Sequence, residues 1–357
     1  QASIPEFTAE GVPLHVHGIA RGSLAGMADF VNSSPVSGML SHVFEKARLS
    51  GEAALDLTLD IPITQAHNTT VKGAITLNGN DVHLEHVPPL TNATGTVTFT
   101  EKGLWADALE ATVYGQSARG SIRTDDNGRI DIRASGRVTP QSVASIVQTP
   151  SVDALMKHVE GQTQADVEVV IDHGLSVSVT SDLLGMQSRI PVPLQKAANE
   201  RLPLSFTFAP CQNAKQCASQ VRLSIGEVFG LSIDYANNAD RGLKAARGTI
   251  AVGRSLPPTN RAGGLSILAR SPVLKYSEWK PLLDDFEQAY AGQPETALTE
   301  MKLNRADIAI DTFNYNRLNF SKIRLNAQAD AQGRWQGNIA SDLIKGALTY
   351  WPEQGAR

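Results

Sequence analysis

Apolar and polar residues alternate with a period of two along most of this chain, the pattern of strands that have one apolar and one polar face. Leu55, Leu57 and Leu59 alternate with Asp56, Thr58 and Asp60 in a strand predicted over 47–60. Leu175, Val177 and Val179 alternate with Ser176, Ser178 and Thr180, and Phe206 and Phe208 with Ser205 and Thr207. Ile308 and Ile310, then Ile323 and Leu325, repeat the pattern in strands predicted over 303–312 and 318–329. Further strands are predicted over 14–20, 69–77, 81–86, 93–100 (with Val97 and Phe99 apolar), 116–123, 129–138, 163–172, 220–225, 228–235, 243–252 and 333–340. Asn78-Gly79-Asn80, Pro88-Pro89 and Asp125-Asp126-Asn127-Gly128 between them suit hairpin reversals and chain exits. Consecutive antiparallel strands are the parsimonious topology.

Helical spacing is scarce. Met39, Leu40, Val43 and Phe44 predict a short helix over 37–46, and Thr139-Pro140 reads as an N-cap with proline at the first helical position. Short helical pieces are expected over 151–158 and 194–200, and Ser277 is expected to cap a helix that carries Trp279 to Tyr290 and packs on the sheet. The fold class is therefore all-β, mainly antiparallel, with a few short helices.

At 357 residues the chain exceeds what one hydrophobic core comfortably organises, but an elongated fold grows along one axis and escapes that limit. One continuous segment over 1–357 is expected, with sub-units 1–138, 139–260 and 261–357. The apolar strand faces must be covered by something. A β-sandwich, in which two sheets bury each other, and a single curled sheet that keeps an apolar groove both give this alternation.

A net charge of −4, with lysines and arginines scattered, disfavours nucleic acid as a partner. His15 and His17 could face one metal from a strand, but no third ligand is visible, and two surface histidines is the preferred reading. Cys211 and Cys217 lack the Cys-x-x-Cys spacing and a neighbouring pair or histidine. A disulfide stapling a hairpin loop is preferred over a metal or redox site, given an oxidising compartment. No nucleophile elbow, metalloprotease motif, phosphate loop or dinucleotide fingerprint occurs, so neither catalysis nor a cofactor or metal is expected. Asp182 and Asp342, at strand ends, are expected to bind backbone amides of their own turns. No run of about 18 apolar residues and no signal peptide is present. The abrupt start at Gln1 and end at Arg357 read as those of a segment from a longer protein.

The least generic text runs from Ser181-Asp182-Leu183-Leu184-Gly185 through Ile190-Pro191-Val192-Pro193-Leu194-Gln195-Lys196-Ala197 to Leu202-Pro203-Leu204. Ser341-Asp342-Leu343 echoes its opening. Thr94-Gly95-Thr96-Val97-Thr98-Phe99, Lys102-Gly103-Leu104 and Gly248-Thr249-Ile250-Ala251-Val252-Gly253 add to it. This wording resembles the AsmA-like proteins of the YhdP, TamB and YdbH kind, and specifically the YhdP-like family of Gram-negative bacteria, most clearly from about Ala93 to Leu348. The resemblance implies the curled groove rather than the sandwich. It also implies a periplasmic bridge, anchored in the inner membrane by a helix outside this segment, that moves phospholipids between inner and outer membranes. Phospholipid acyl chains would then be the partner. Leu55, Leu57, Leu59, Val97, Phe99, Leu175, Val177, Val179, Phe206, Phe208, Ile308, Ile310, Ile323 and Leu325 would share one continuous concave surface. Oligomeric state does not follow from the sequence.

Overall fold

The computed structural model describes residues 2–3, 13–32, 47–62, 69–83, 87–172, 174–211, 217–238, 242–257, 263–291, 301–330 and 332–351. The helix expected over 37–46 and the end of the strand expected over 81–86 lie outside the described residues. Two compact units are present, residues 1–137 with 166–174, and residues 138–165 with 175–357. Both consist mostly of strands in mixed, chiefly antiparallel sheet with few short helices, and neither closes into a barrel.

The first unit begins with β1 (Ala2–Ser3), β2 (Pro13–Ser23) and helix α1 (Leu24–Asn32). It continues through β3 (Arg48–Ser50), β4 (Glu52–Pro62), β5 (Thr70–His83), β6 (Leu90–Thr100), β7 (Gly103–Val113), β8 (Gln116–Thr124) and β9 (Ile130–Val138). Helices α2 (Pro140–Val147) and α3 (Pro150–Met156) and the short strand β10 (Val159–Gly161), which belong to the second unit, lead into β11 (Thr163–Ile171), most of which returns to the first. From β4 to β9 each strand pairs antiparallel with the next, while β2 pairs with β4 and β9 with β11. The hairpins follow the turn text. Asp125 accepts the amides of Asn127 and Arg129 at 2.8 and 3.0 Å, and Gly128 takes φ +82°, so β8 reverses into β9 where an L side chain would be strained.

One turn expectation fails. Asn78-Gly79-Asn80 is not a reversal but an irregularity inside β5, whose 14 residues pair with β4 on one side of it and with β3 on the other. The single strand expected over 47–60 is likewise broken at Gly51. Asn80 explains both, because its side chain is completely buried, donates to the carbonyls of Ser50 and Glu52 at 3.0 and 3.3 Å, and accepts the Asn78 amide at 2.8 Å. A buried amide with three partners fixes a bulge that locally has the same Asn-Gly chemistry as a hairpin.

The second unit adds β12 (Leu175–Ser181), β13 (Met186–Ser188), β14 (Leu204–Pro210), β15 (Ser219–Ile225), β16 (Phe229–Asn238), β17 (Gly242–Val252) and β18 (Gly264–Lys275). Helix α4 (Tyr276–Tyr290) then leads to β19 (Leu303–Tyr315), β20 (Leu318–Ala329), β21 (Trp335–Ala340) and β22 (Lys345–Tyr350). Pairing is antiparallel from β12 through β14 to β17, parallel for β17 with β18 and β18 with β19, and antiparallel again to β22. The parallel pairs depart from a strict meander. They require crossovers, supplied by residues 253–263 and by α4.

Thr139 caps α2 as its sequence predicts, accepting the Ser142 amide at 3.2 Å while Ser142 Oγ accepts the Thr139 amide at 2.9 Å. Helix α4 starts two residues earlier than a Ser277 cap implies, because β18 runs straight into it and Lys275, not Ser277, holds the cap position. The helix expected over 194–200 does not form. Lys196 instead bridges to Ser188 in extended backbone, and its side chain turns inward.

Candidate functional site

Residues opposite one another in a β ladder share a face of the sheet, so the register locates each apolar side chain. In the first unit Leu55 stands opposite Ile75 and Ile75 opposite Val97, while Leu57 faces Gly73 and Gly73 faces Phe99. Leu59 pairs with Val71, and Leu14, Val16 and Gly18 of β2 join the same face. All five groove candidates of this unit therefore lie together, and the aspartates and histidines lie on the reverse. There His15 is hydrogen-bonded to Asp60, and His17 to Asp56 at 2.9 Å.

In the second unit Val177 and Val179 face Phe208 and Phe206, which face Val221 and Leu223, then Ile233 and Leu231, then Gly248 and Ile250, then Leu265 and Ile267. The row passes through Ala306, Ile308 and Ile310 to Ala327, Leu325 and Ile323, then to Ile339 and the β22 residues Gly346 and Leu348. The nine candidates Leu175, Val177, Val179, Phe206, Phe208, Ile308, Ile310, Ile323 and Leu325 occupy this one face. From β12 and β14 to β22 it carries no charged residue except Lys275, at the end of β18. The reverse face holds the charges, including Arg222, Arg270, Asp307, Arg324 and the pair Arg247–Asp234 at 3.1 Å.

Burial distinguishes the two units. None of the nine candidates in the second unit is buried, and Leu175 keeps 45% of its surface. A face closed against a second sheet would bury such residues, and among the described residues the other sheet in this unit is the pair β10–β13. Its apolar face is covered locally by Met301, which packs with Ile233 and Ala245; a Cβ on Gly248 would lie 2.9 Å from Met301 Cε. In the first unit Leu55 and Phe99 are each only 5% exposed, because Leu24 and Met27 of α1 sit on them with Ala53 and Val71. Leu57, Leu59 and Val97 remain partly exposed. Helix α1 escaped the sequence reading, although Leu24 and Met27 have the i, i+3 spacing of a short apolar helix face.

The proline-punctuated passage is a scaffold. Lys196, 5% exposed, donates from Nζ to the carbonyls of Leu183 and Met186 at 2.8 Å and Ala197 at 3.0 Å. Burial pulls its ammonium below the ordinary lysine value, opposed by the nearby carboxylates of Glu200 and Asp182. Asp182 accepts the amide of Leu184 in its own turn at 3.0 Å and pairs with Arg201. The second Ser-Asp-Leu copy shares the serine geometry: Ser181 Oγ accepts the Leu183 amide and Ser341 Oγ the Leu343 amide, both at 3.1 Å. Asp342 differs from expectation by reaching across to the amide of Ser321 at 2.8 Å. Cys211 and Cys217 are joined as a disulfide with Cα atoms 5.8 Å apart.

Helices α3 and α4 are pinned by Asp285, which accepts Lys157 Nζ at 2.7 Å and is hydrogen-bonded to His158 Nε2 at 2.9 Å. The Lys157 ammonium, then the His158 ring, hold the Asp285 carboxyl below the usual carboxylate range. A depressed carboxylate pKa stabilises the fold above the unfolded value of about 3.9 and loses that contribution as pH falls through the folded value. Amide exchange in α4 is expected to accelerate below about pH 4, and Asp285→Asn should remove that acid dependence. An unchanged acid profile in the variant would count against this role.

Among the described residues no three His, Cys, Asp or Glu side chains gather as a metal site, and no helix is long and apolar enough to cross a membrane. The family model described as "YhdP protein" matches residues 1–357. The chain is 21% identical over 341 residues to the "Intermembrane phospholipid transporter YhdP" of Escherichia coli (strain K12). That match covers 93% of the chain and 26% of the relative, so the chain spans about a quarter of that protein's length. No solved structure matches.

Proposed function

Because this chain belongs to the YhdP protein family, we propose that it is a phospholipid-conducting segment of a periplasmic bridge between inner and outer membranes, acting without catalysis. The observation that carries this reading is the partly exposed face running from β12 to β22, free of charge except for Lys275 at the end of β18, with the other charges on the reverse. Acyl chains lying on it would leave headgroups in water. Each buried methylene contributes about 0.8 kcal/mol wherever it sits along the face, so a uniform surface holds lipid without trapping it at one place. The relative from Escherichia coli is an intermembrane phospholipid transporter, which supports the same assignment. The fourteen candidate residues are the proposed acyl contacts, and the longer protein would supply the inner-membrane anchor.

Native mass spectrometry of the gently purified chain, followed by lipid extraction, tests this. Bound phospholipid at one or more copies is the expected result. A clean protein mass after incubation with phospholipid vesicles would instead identify a structural envelope domain.

A further inference from the structure

On the lipid-conducting reading, one element stands in the acyl path. We propose that α1 is a displaceable plug: Leu24 and Met27 occupy the same apolar face in the first unit that acyl chains would occupy, and lipid advances there only by lifting the helix.

The argument rests on which atoms share a surface. Leu24 and Met27, 6% and 7% exposed, pack into one cluster with Leu55 and Phe99, and Leu57, Leu59 and Ile75 lie around its margin. An acyl chain following the register from Leu57 to Phe99 would meet the helix. Two further features make α1 separable from the sheet. The Leu24 amide on the Gly51 carbonyl at 2.9 Å and the Gly26 amide on Ser23 Oγ at 3.1 Å both fall in its first turn, next to β2. Ala25, Gly26 and Asp29 are exposed, while Leu24 and Met27 form a buried apolar stripe against the sheet. An acyl chain replacing Leu24 and Met27 would rebury the same Leu55 and Phe99 surface, because apolar burial is non-directional and one hydrocarbon can substitute for another. Exchange of helix for lipid is then close to balanced, as a plug requires.

The test uses the 357-residue chain with a photoreactive amino acid at Leu57 in the first unit or Val177 in the second, incubated with vesicles of phosphatidylethanolamine and phosphatidylglycerol. Lipid capture at Leu57 is expected to rise about tenfold when Leu24→Ser and Met27→Ser remove the stripe, the factor that 1.4 kcal/mol makes in an equilibrium. Capture at Val177 should stay unchanged, which reports a folded second unit; Met27→Ser alone, the milder variant that keeps Leu24 in the first unit's cluster, should raise Leu57 capture part of the way. Amides of α1 in the unsubstituted chain should exchange faster when vesicles are present. Capture at Val177 with no rise at Leu57 in either variant would overturn the plug. Capture at neither position would overturn the lipid reading itself.

Discussion

Phe206→Asp is expected to stop lipid occupancy of the second unit while leaving the chain folded. Phe206 lies between Val179 and Leu223 on the apolar face and is only partly buried. Losing a partly exposed phenylalanine costs the fold about 1–3 kcal/mol, within what a large β unit tolerates. An acyl chain crossing the new carboxylate must strip it of water or avoid it. A charge in a hydrocarbon path costs roughly 3 kcal/mol, which is about a hundredfold in occupancy. Phe206→Leu should retain lipid, since it keeps the path apolar. Lipid content by extraction and cooperative unfolding in urea are the two readouts. Collapse of the fold in Phe206→Asp would make Phe206 a core residue and the face a closed one.

The largest effect on stability is expected at Lys196. Its ammonium serves three buried or half-buried carbonyls that converge from the Leu183–Met186 turn and from Ala197. Lys196→Met keeps the length and apolar stem of the side chain but leaves those acceptors without a donor. Each unmet buried group costs about 1–3 kcal/mol, so the passage between β12 and β14 should lose roughly 3–5 kcal/mol. Hydrogen exchange at Leu184–Met186 and urea unfolding followed on the second unit would register it. Lys302→Met, at an exposed position, is the matched control and should move stability by less than about 0.5 kcal/mol. A loss below about 1 kcal/mol in Lys196→Met would mean that water serves the carbonyls.

The strand faces were legible because a period of two needs only local text, and one face per strand follows from alternation alone. Val177, Phe206, Ile308 and Leu325 could be put on apolar faces without knowing any partner strand. Joining those faces into one needed the register, which bulges such as those at Asp234/Tyr235 and Leu265/Ser266 shift by a residue. Helix α1 was missed because a nine-residue helix is stabilised by the sheet beneath it rather than by its own propensity. Asn78-Gly79-Asn80 misled because a bulge and a hairpin use the same left-handed glycine. What separates them is the distant pair of carbonyls at Ser50 and Glu52. Lys196 was illegible for the opposite reason: lysine is among the residue types least often buried, and only the three carbonyls folded around it justify the exception.

The two parallel pairings at β18 bear on how the second unit comes together in time. Strands β14 to β17 can zip pair by pair, and so can β19 to β22, since each strand's partner follows it directly in the chain. Strand β18 has no such neighbour, because it must wait for the 253–263 crossover on one side and for α4 on the other. Long-range closure spends chain entropy before any ladder bond returns it, which makes the middle of this unit its slow step. Until that step, two ready-made meanders would stand with open edges at β17 and β19, and the folding chain would be most vulnerable to pairing with the wrong strand.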